Sequence, residues 1–176
     1  MRDKKDIRIF FALWPDDALR KTLHRASNTI PVERPARRVP RYNLHLTLHF
    51  IGNVYFDQLT CLREQARLVK MKAFELSIDC QGIFKKPRVA WLGCRETPAA
   101  LLELHQQLGQ RLRRCDYQPE SRAYNPHVTM ARKIDRIPEH ESFEPICWRA
   151  SQFALIEVQQ IDNGVQYRVI ETYPLS

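Results

Sequence analysis

The sequence predicts an α+β protein built as two similar lobes, and three observations carry that expectation. An order of strand, helix, loop and strand occurs twice along the chain. Each copy closes on a His-x-Thr triplet, in HLTLHF at residues 45–50 and in HVTM at residues 127–130. The length of 176 residues fits one domain, or one domain of two lobes, and buries a sizeable core without help from disulfides or metals. We therefore expect a single two-lobed domain over residues 1–176.

The elements follow in order. IRIFFAL, residues 7–13, is apolar enough for a buried strand. Trp14-Pro15-Asp16-Asp17 ends it, and Asp16 or Asp17 caps a helix that carries Leu19, Leu23 and Ala26 on one face. Pro31, Pro35 and Pro40 make residues 31–43 a loop. Residues 44–51 form a strand, Gly52-Asn53 a turn, and residues 57–70 a helix through Leu59, Leu62, Ala66 and Val69. FELSIDC, residues 74–80, alternates as a half-buried strand. Residues 81–87 read as a loop and RVAWLGC, residues 88–94, as another strand. Thr97 is expected to cap, and Pro98 to open, a helix reaching about Arg114, with Leu101, Leu104, Leu108 and Leu112 on one face. A polar loop over 116–125, a short strand over 126–131 and an irregular stretch over 137–145 follow. Strands over 153–159 and 165–173 meet at Asp162-Asn163-Gly164, a strong hairpin signal.

Composition narrows the class. The apolar fraction of 44% is ordinary for a globular chain. No apolar run approaches the roughly 18 residues of a membrane helix. The run Ile9 to Trp14 is too short for a signal peptide, so a cytoplasmic protein is expected. Five cysteines, Cys61, Cys80, Cys94, Cys115 and Cys147, include no CxxC pair, and they are expected to be reduced and mostly buried. Lysine and arginine number 28 against 20 acids, a net charge of +8. That field attracts polyanions and fits a phosphate-bearing partner.

The two triplets carry the chemistry. They lie 82 positions apart (127 − 45), and with 6 histidines and 7 threonines only about 0.24 such triplets are expected by chance. On a strand, alternate residues share a face, so His45 and Thr47 point one way and Leu44, Leu46, Leu48 and Phe50 the other. His127 and Thr129 share a face in the same manner, with Val128 and Met130 behind them. Two such strands at one cleft supply two imidazoles and two hydroxyls. One imidazole can accept a proton while the other donates one, and the hydroxyls can hold nonbridging phosphate oxygens. No metal or cofactor is required, and no acidic cluster or HExxH is present. His49 continues the alternation, giving HxTxH. It lies too far along the strand to share one metal ion with His45, and packing or structural bonding is expected of it. His24, His105 and His140 fall on expected helix or loop surfaces.

These residues resemble the two-histidine phosphoesterase superfamily, and in particular its RNA 2′,3′-cyclic phosphodiesterase branch, whose members were first described as 2′-5′ RNA ligases. The likeness rests on IRIFFALWP, NLHLTLHFIGNV, PRVAWLG and YNPHVTMAR. It implies a bilobal α+β fold with pseudo-two-fold symmetry, two antiparallel sheets lining a central groove, and helices outside. It also implies that His45, Thr47, His127 and Thr129 are catalytic, with His45 as acid and His127 as base. The implied reaction opens a terminal ribose 2′,3′-cyclic phosphate to a 2′-phosphate, and reversible ATP-independent 2′-5′ ligation is possible at the same site. Arg132 matches a basic position of the family. Arg122, Tyr124, Phe84 and Trp91 are further candidates for contact with the substrate. His49 departs from the small residue common at its family position. The implied partners are RNA ends or nucleotide cyclic phosphates, with no membrane and no obligate protein partner.

Three rivals have different signatures. A relative acting on ADP-ribose cyclic phosphate or a small 2′-5′ oligonucleotide uses the same four residues and differs in its substrate panel. A non-catalytic RNA- or nucleotide-binding module keeps its affinity when both histidines are removed. A metal-dependent phosphodiesterase loses activity in EDTA.

Overall fold

The computed structural model describes residues 6–137 and 143–176. His140 lies outside the described residues, as does most of the stretch expected to be irregular. Among the described residues, ten strands and three α-helices form two antiparallel sheets and a helical layer, an α+β architecture. The strands are β1 (Ile7–Leu13), β2 (Arg37–Arg38), β3 (Leu46–Val54), β4 (Phe74–Ile78), β5 (Cys80–Phe84), β6 (Val89–Gly93), β7 (His127–Arg132), β8 (Ile146–Ala150), β9 (Gln152–Ile161) and β10 (Gly164–Pro174). The helices are α1 (Asp17–Ser27), α2 (Phe56–Arg67) and α3 (Ala99–Leu112).

The large sheet runs β10-β9-β1-β3-β7-β6-β5, with β2 on the edge of β7, and β4 and β8 pair separately. Its two halves are joined between β3 and β7 by one residue pair, Leu46 with Val128. These are the middle residues of the two His-x-Thr triplets. The units β1-α1-β3 and β6-α3-β7 are therefore arranged about that pair as pseudo-two-fold mates.

One sheet face packs against the helices. Ile9, Phe11, Leu13, Leu46, Leu92, Val128 and Leu155 share a core with Leu23 of α1, Leu62 and Ala66 of α2, and the Leu101, Leu104, Leu108 and Leu112 stripe of α3. The β4–β8 sheet adds Leu76, Ile78, Ile146 and Trp148 to it. The opposite face of β1 and β9 carries a smaller cluster of Phe10, Ala12, Ala154 and Ile156, and this is the face of the site.

Local signals explain many boundaries. Asp16 caps α1, its carboxylate accepting from Leu19 N at 2.8 Å. The β9–β10 hairpin turns at Asp162-Asn163, with Gly164 at φ 141°. Other expectations need correction. The N-cap position of α3 is Pro98 with no side-chain cap bond, so Thr97 does not serve there. Gly52-Asn53 is not a turn, because β3 continues to Val54 and Gly52 (φ 89°) adjoins a bulge. Residues 80–84 are a strand, since the chain leaves β4 at Asp79 and re-enters the large sheet against β6. β8 lies where no strand is expected, although its Ile146, Trp148 and Ala150 alternate with exposed Cys147 and Arg149. The cysteine expectation also fails in part. Cys61 and Cys115 form a disulfide, because α2 packs beside the turn after α3, and Cys147 is exposed. No helix among the described residues is long and apolar enough to cross a membrane.

Candidate active site

Pairing of Leu46 with Val128 determines the site. In an antiparallel ladder, residues flanking a pair face each other in reverse order. His45 therefore comes beside Thr129, and Thr47 beside His127. The two imidazoles are close enough for charge on His127 to bear on His45.

The rings are held identically. His45 Nδ1 lies 2.7 Å from Asn43 O, and His127 Nδ1 lies 2.8 Å from Asn125 O. A carbonyl only accepts, so each Nδ1 carries hydrogen and each Nε2 is left for chemistry. The Thr47 hydroxyl lies 3.0 Å from His45 Nε2 and donates to it while the ring is neutral. Both holding carbonyls belong to asparagines, so the repeat is longer than a triplet. YNLHLTL (42–48) and YNPHVTM (124–130) share Tyr, Asn, His and Thr in register. Asn43 and Asn125 were missed, although this alignment reveals them. Asn43 is buried, its Nδ2 donating to Val165 O (2.8 Å) and its Oδ1 accepting from Tyr167 N (3.0 Å).

A bulge follows each threonine. In β3, Ala12 pairs with Thr47 and Phe11 with His49, leaving Leu48 as the extra residue. In β7, Trp91 pairs with Thr129 and Ala90 with Ala131, leaving Met130 extra. Each bulge reverses the faces beyond it. Hence His49 does not continue the His45–Thr47 face. It turns into the core at 3% exposure. There it donates from Nε2 to His105 O at 2.7 Å and accepts from the Tyr117 hydroxyl at 3.2 Å. This is the structural bonding expected of it. Phe50, expected in the core, emerges on the site face at 43% exposure with Arg8 5.0 Å from its ring centroid. Arg132 comes to the face of His127 and Thr129, which simple alternation would have denied it.

The walls are aromatic. Phe10 (4.7 Å between centroids), Tyr167 (5.2 Å) and Trp14 (5.9 Å) surround the His45 ring, and the Arg20 guanidinium lies over Trp14. Phe84 packs edge-on against His127 at 4.9 Å and stacks on Trp91. A Cβ on Gly82 would lie 2.2 Å from Trp91 Cζ2, so only glycine lets the indole lie across β5. Of the accessory candidates, Phe84, Trp91 and Arg132 are thus brought to the site. Arg122 is exposed and ion-paired with Glu120, and its charge reaches His127. Tyr124, expected to line the groove, instead stacks on His105 at 3.8 Å and donates its hydroxyl to Thr47 O at 2.8 Å. His105 is consequently half-buried between Tyr124 and His49, not a plain surface residue.

Desolvation dominates the electrostatics. It pulls His45 down to about 4, opposed by the Asn43 carbonyl and reinforced by His127, Arg132 and Arg20. His127 is lowered too, first by desolvation and then by Arg122 and Arg132, against the raising effect of the Asn125 carbonyl. Among the described residues, no group of three or more His, Cys, Asp or Glu is placed to hold a metal ion.

Two imidazole Nε2 atoms, two hydroxyls and a guanidinium on one sheet face equip a site to bind a phosphate ester and move protons at it. The comparisons with known proteins point the same way. The model of the 2′-5′ RNA ligase superfamily matches residues 15–162, and the chain belongs to that superfamily. It is 32% identical over 126 residues to the RNA 2′,3′-cyclic phosphodiesterase of Escherichia coli strain K12, covering 71% of each chain. It is 29% identical over 184 residues to the protein of the same name from Methanothermobacter thermautotrophicus, covering 96% of this chain and 99% of that one. The crystal structure of E. coli LigT complexed with 3′-AMP superposes with a TM-score of 0.86 at 25% identity, over 98% of this chain and 99% of that one.

Proposed function

We propose that this protein opens the 2′,3′-cyclic phosphate at an RNA end to a 2′-phosphate by acid–base catalysis between His45 and His127. His127 Nε2 accepts a proton from a water that attacks phosphorus. The bond from phosphorus to O3′ breaks, and His45 Nε2 delivers a proton to the departing oxygen. Thr129 and Thr47 donate to nonbridging oxygens, and Arg132 balances their charge. Once His45 is protonated, Nε2 no longer accepts from Thr47, and that hydroxyl is released to the phosphate. The same steps with an RNA 5′-hydroxyl in place of water as the nucleophile join it to the cyclic end: the new P–O5′ bond forms, the P–O3′ bond breaks, and a 2′-5′ linkage results. On this reading the chain works as one two-lobed domain.

The supporting observation is the matched pair of Nδ1–carbonyl bonds, which commits both Nε2 atoms to one face across the Leu46–Val128 pair. The name shared by relatives in several species agrees with it. The test is incubation of an RNA carrying a 2′,3′-cyclic end, in EDTA, with the product followed by phosphorus NMR. A 2′-phosphate is expected at undiminished rate. A 3′-phosphate, or loss of turnover on chelation, overturns the mechanism.

A further inference from the structure

β2 has only two residues, and they face opposite ways. Arg38 pairs with Ala131 and sends its guanidinium to the helix side, where it donates to Ile30 O at 2.8 Å and to Ser27 O. Neighbouring strand residues point to opposite faces. Arg37, exposed and paired with Arg132, therefore projects onto the face that carries Thr129. The bulge at Met130 has already brought Arg132 to that face. Two guanidinium groups thus stand directly across one strand pair, beside the site. Like charges so placed repel each other. Among the described residues neither forms an ion pair. An anion between them removes the repulsion.

From Thr129 to the Arg37–Arg132 pair is two ladder steps, roughly 7 Å, because the bulged residue adds no step. That separation is comparable to the distance between neighbouring phosphates of one strand. Arg132 lies within electrostatic reach of both imidazoles, and Arg37 stands across from it on the edge of β7 that β3 uses at Val128. The pseudo-two-fold mate of Arg132 is Phe50, also three residues past its threonine, so the first half offers an aromatic ring where the second offers a cation.

We propose that Arg37, with Arg132, holds the phosphodiester that precedes the terminal nucleotide, making the site selective for oligonucleotide ends over mononucleotides. This rests on the function proposed above. The test compares a mononucleoside 2′,3′-cyclic phosphate with a dinucleotide ending in the same group, using wild type, Arg37→Gln and Arg37→Lys. Arg37→Gln is expected to lower the dinucleotide-to-mononucleotide ratio of kcat/KM about tenfold, with Arg37→Lys between it and wild type. A dinucleotide whose internal linkage is an uncharged methylphosphonate should lose a similar factor in wild type and show no further loss in Arg37→Gln. Equal losses on both substrates, or a methylphosphonate processed as well as the phosphate, overturn the proposal. If no cyclic phosphate is turned over, the proposed reaction fails and the subsite is read by calorimetry. Dinucleotides ending in a 2′-phosphate, with a charged or methylphosphonate linkage, must then differ in Kd for wild type and agree for Arg37→Gln. Equal affinities in wild type would refute the subsite by themselves.

Discussion

In the proposed mechanism His45 must carry a proton, yet in the free site it is held near 4. The substrate itself resolves this. An anionic phosphate about 4 Å from an imidazolium contributes roughly 4 kcal/mol at an effective dielectric constant of about 20. At about 1.36 kcal/mol per unit, that is about three pKa units, and attraction raises the value. His45 then titrates near 7 in the complex. The pH profile of kcat/KM reports the free site and that of kcat the complex. Their alkaline limbs should therefore differ: that of kcat/KM lies below about pH 6.5, because both imidazoles of the free site are lowered, and that of kcat lies higher, at about pH 7. Arg132 supplies a second handle. Its charge lowers both imidazoles, so Arg132→Gln removes a phosphate contact and a depressing charge together. The rate should fall while the alkaline limb of kcat/KM moves to higher pH. Initial rates on RNA with a cyclic end, from about pH 4 to 9, decide this. Coincident limbs for kcat and kcat/KM, or a limb that moves to lower pH in Arg132→Gln, would refute the reasoning.

Two further outcomes are expected. His45→Ala and His127→Ala should each lower turnover by about 10²–10⁴-fold with the melting temperature little changed, measured as single-turnover rates; a loss under tenfold in either removes that group from the proton transfers. His49→Leu should cost about 2–3 kcal/mol of stability in urea titration, because the His105 carbonyl and Tyr117 hydroxyl lose their partner. A hundredfold loss of kcat in that variant while still folded would instead put His49 in the chemistry.

Periodicity revealed the elements whose pattern is set by their own residues. The leucine stripe of α3, the Asp16 cap and the hairpin at Asp162-Asn163 are all local. What escaped depends on partners far along the chain. A bulge exists only relative to the strand opposite, so nothing in HLTLHF announces that Leu48 is extra and that His49 and Phe50 exchange faces. The same blindness left the face of Arg132 to a family likeness, and hid β2, whose two residues are strand only because β7 lies beside them. The Cys61–Cys115 bond joins segments 54 residues apart through the docking of α2 beside the end of α3. Asn43 and Asn125 are a different case. Their signal was present, in a repeat running from tyrosine to threonine.

Two copies of one motif need not behave alike, and here their surroundings separate them. His45 hangs from an asparagine buried against β10 and sits among Phe10, Trp14 and Tyr167. His127 hangs from an exposed asparagine, packs against Phe84 alone among these aromatics, and is lowered less far. Environments that push two titratable groups apart give them distinct roles. The group with the lower pKa is the stronger proton donor once charged, which suits the departing O3′. The other is the stronger acceptor, which suits attacking water. The productive state, with the proton on His45 and not on His127, is then a minor one in the empty site. Binding of a phosphate near His45 raises its population, so the proton is put in place by the substrate that will consume it.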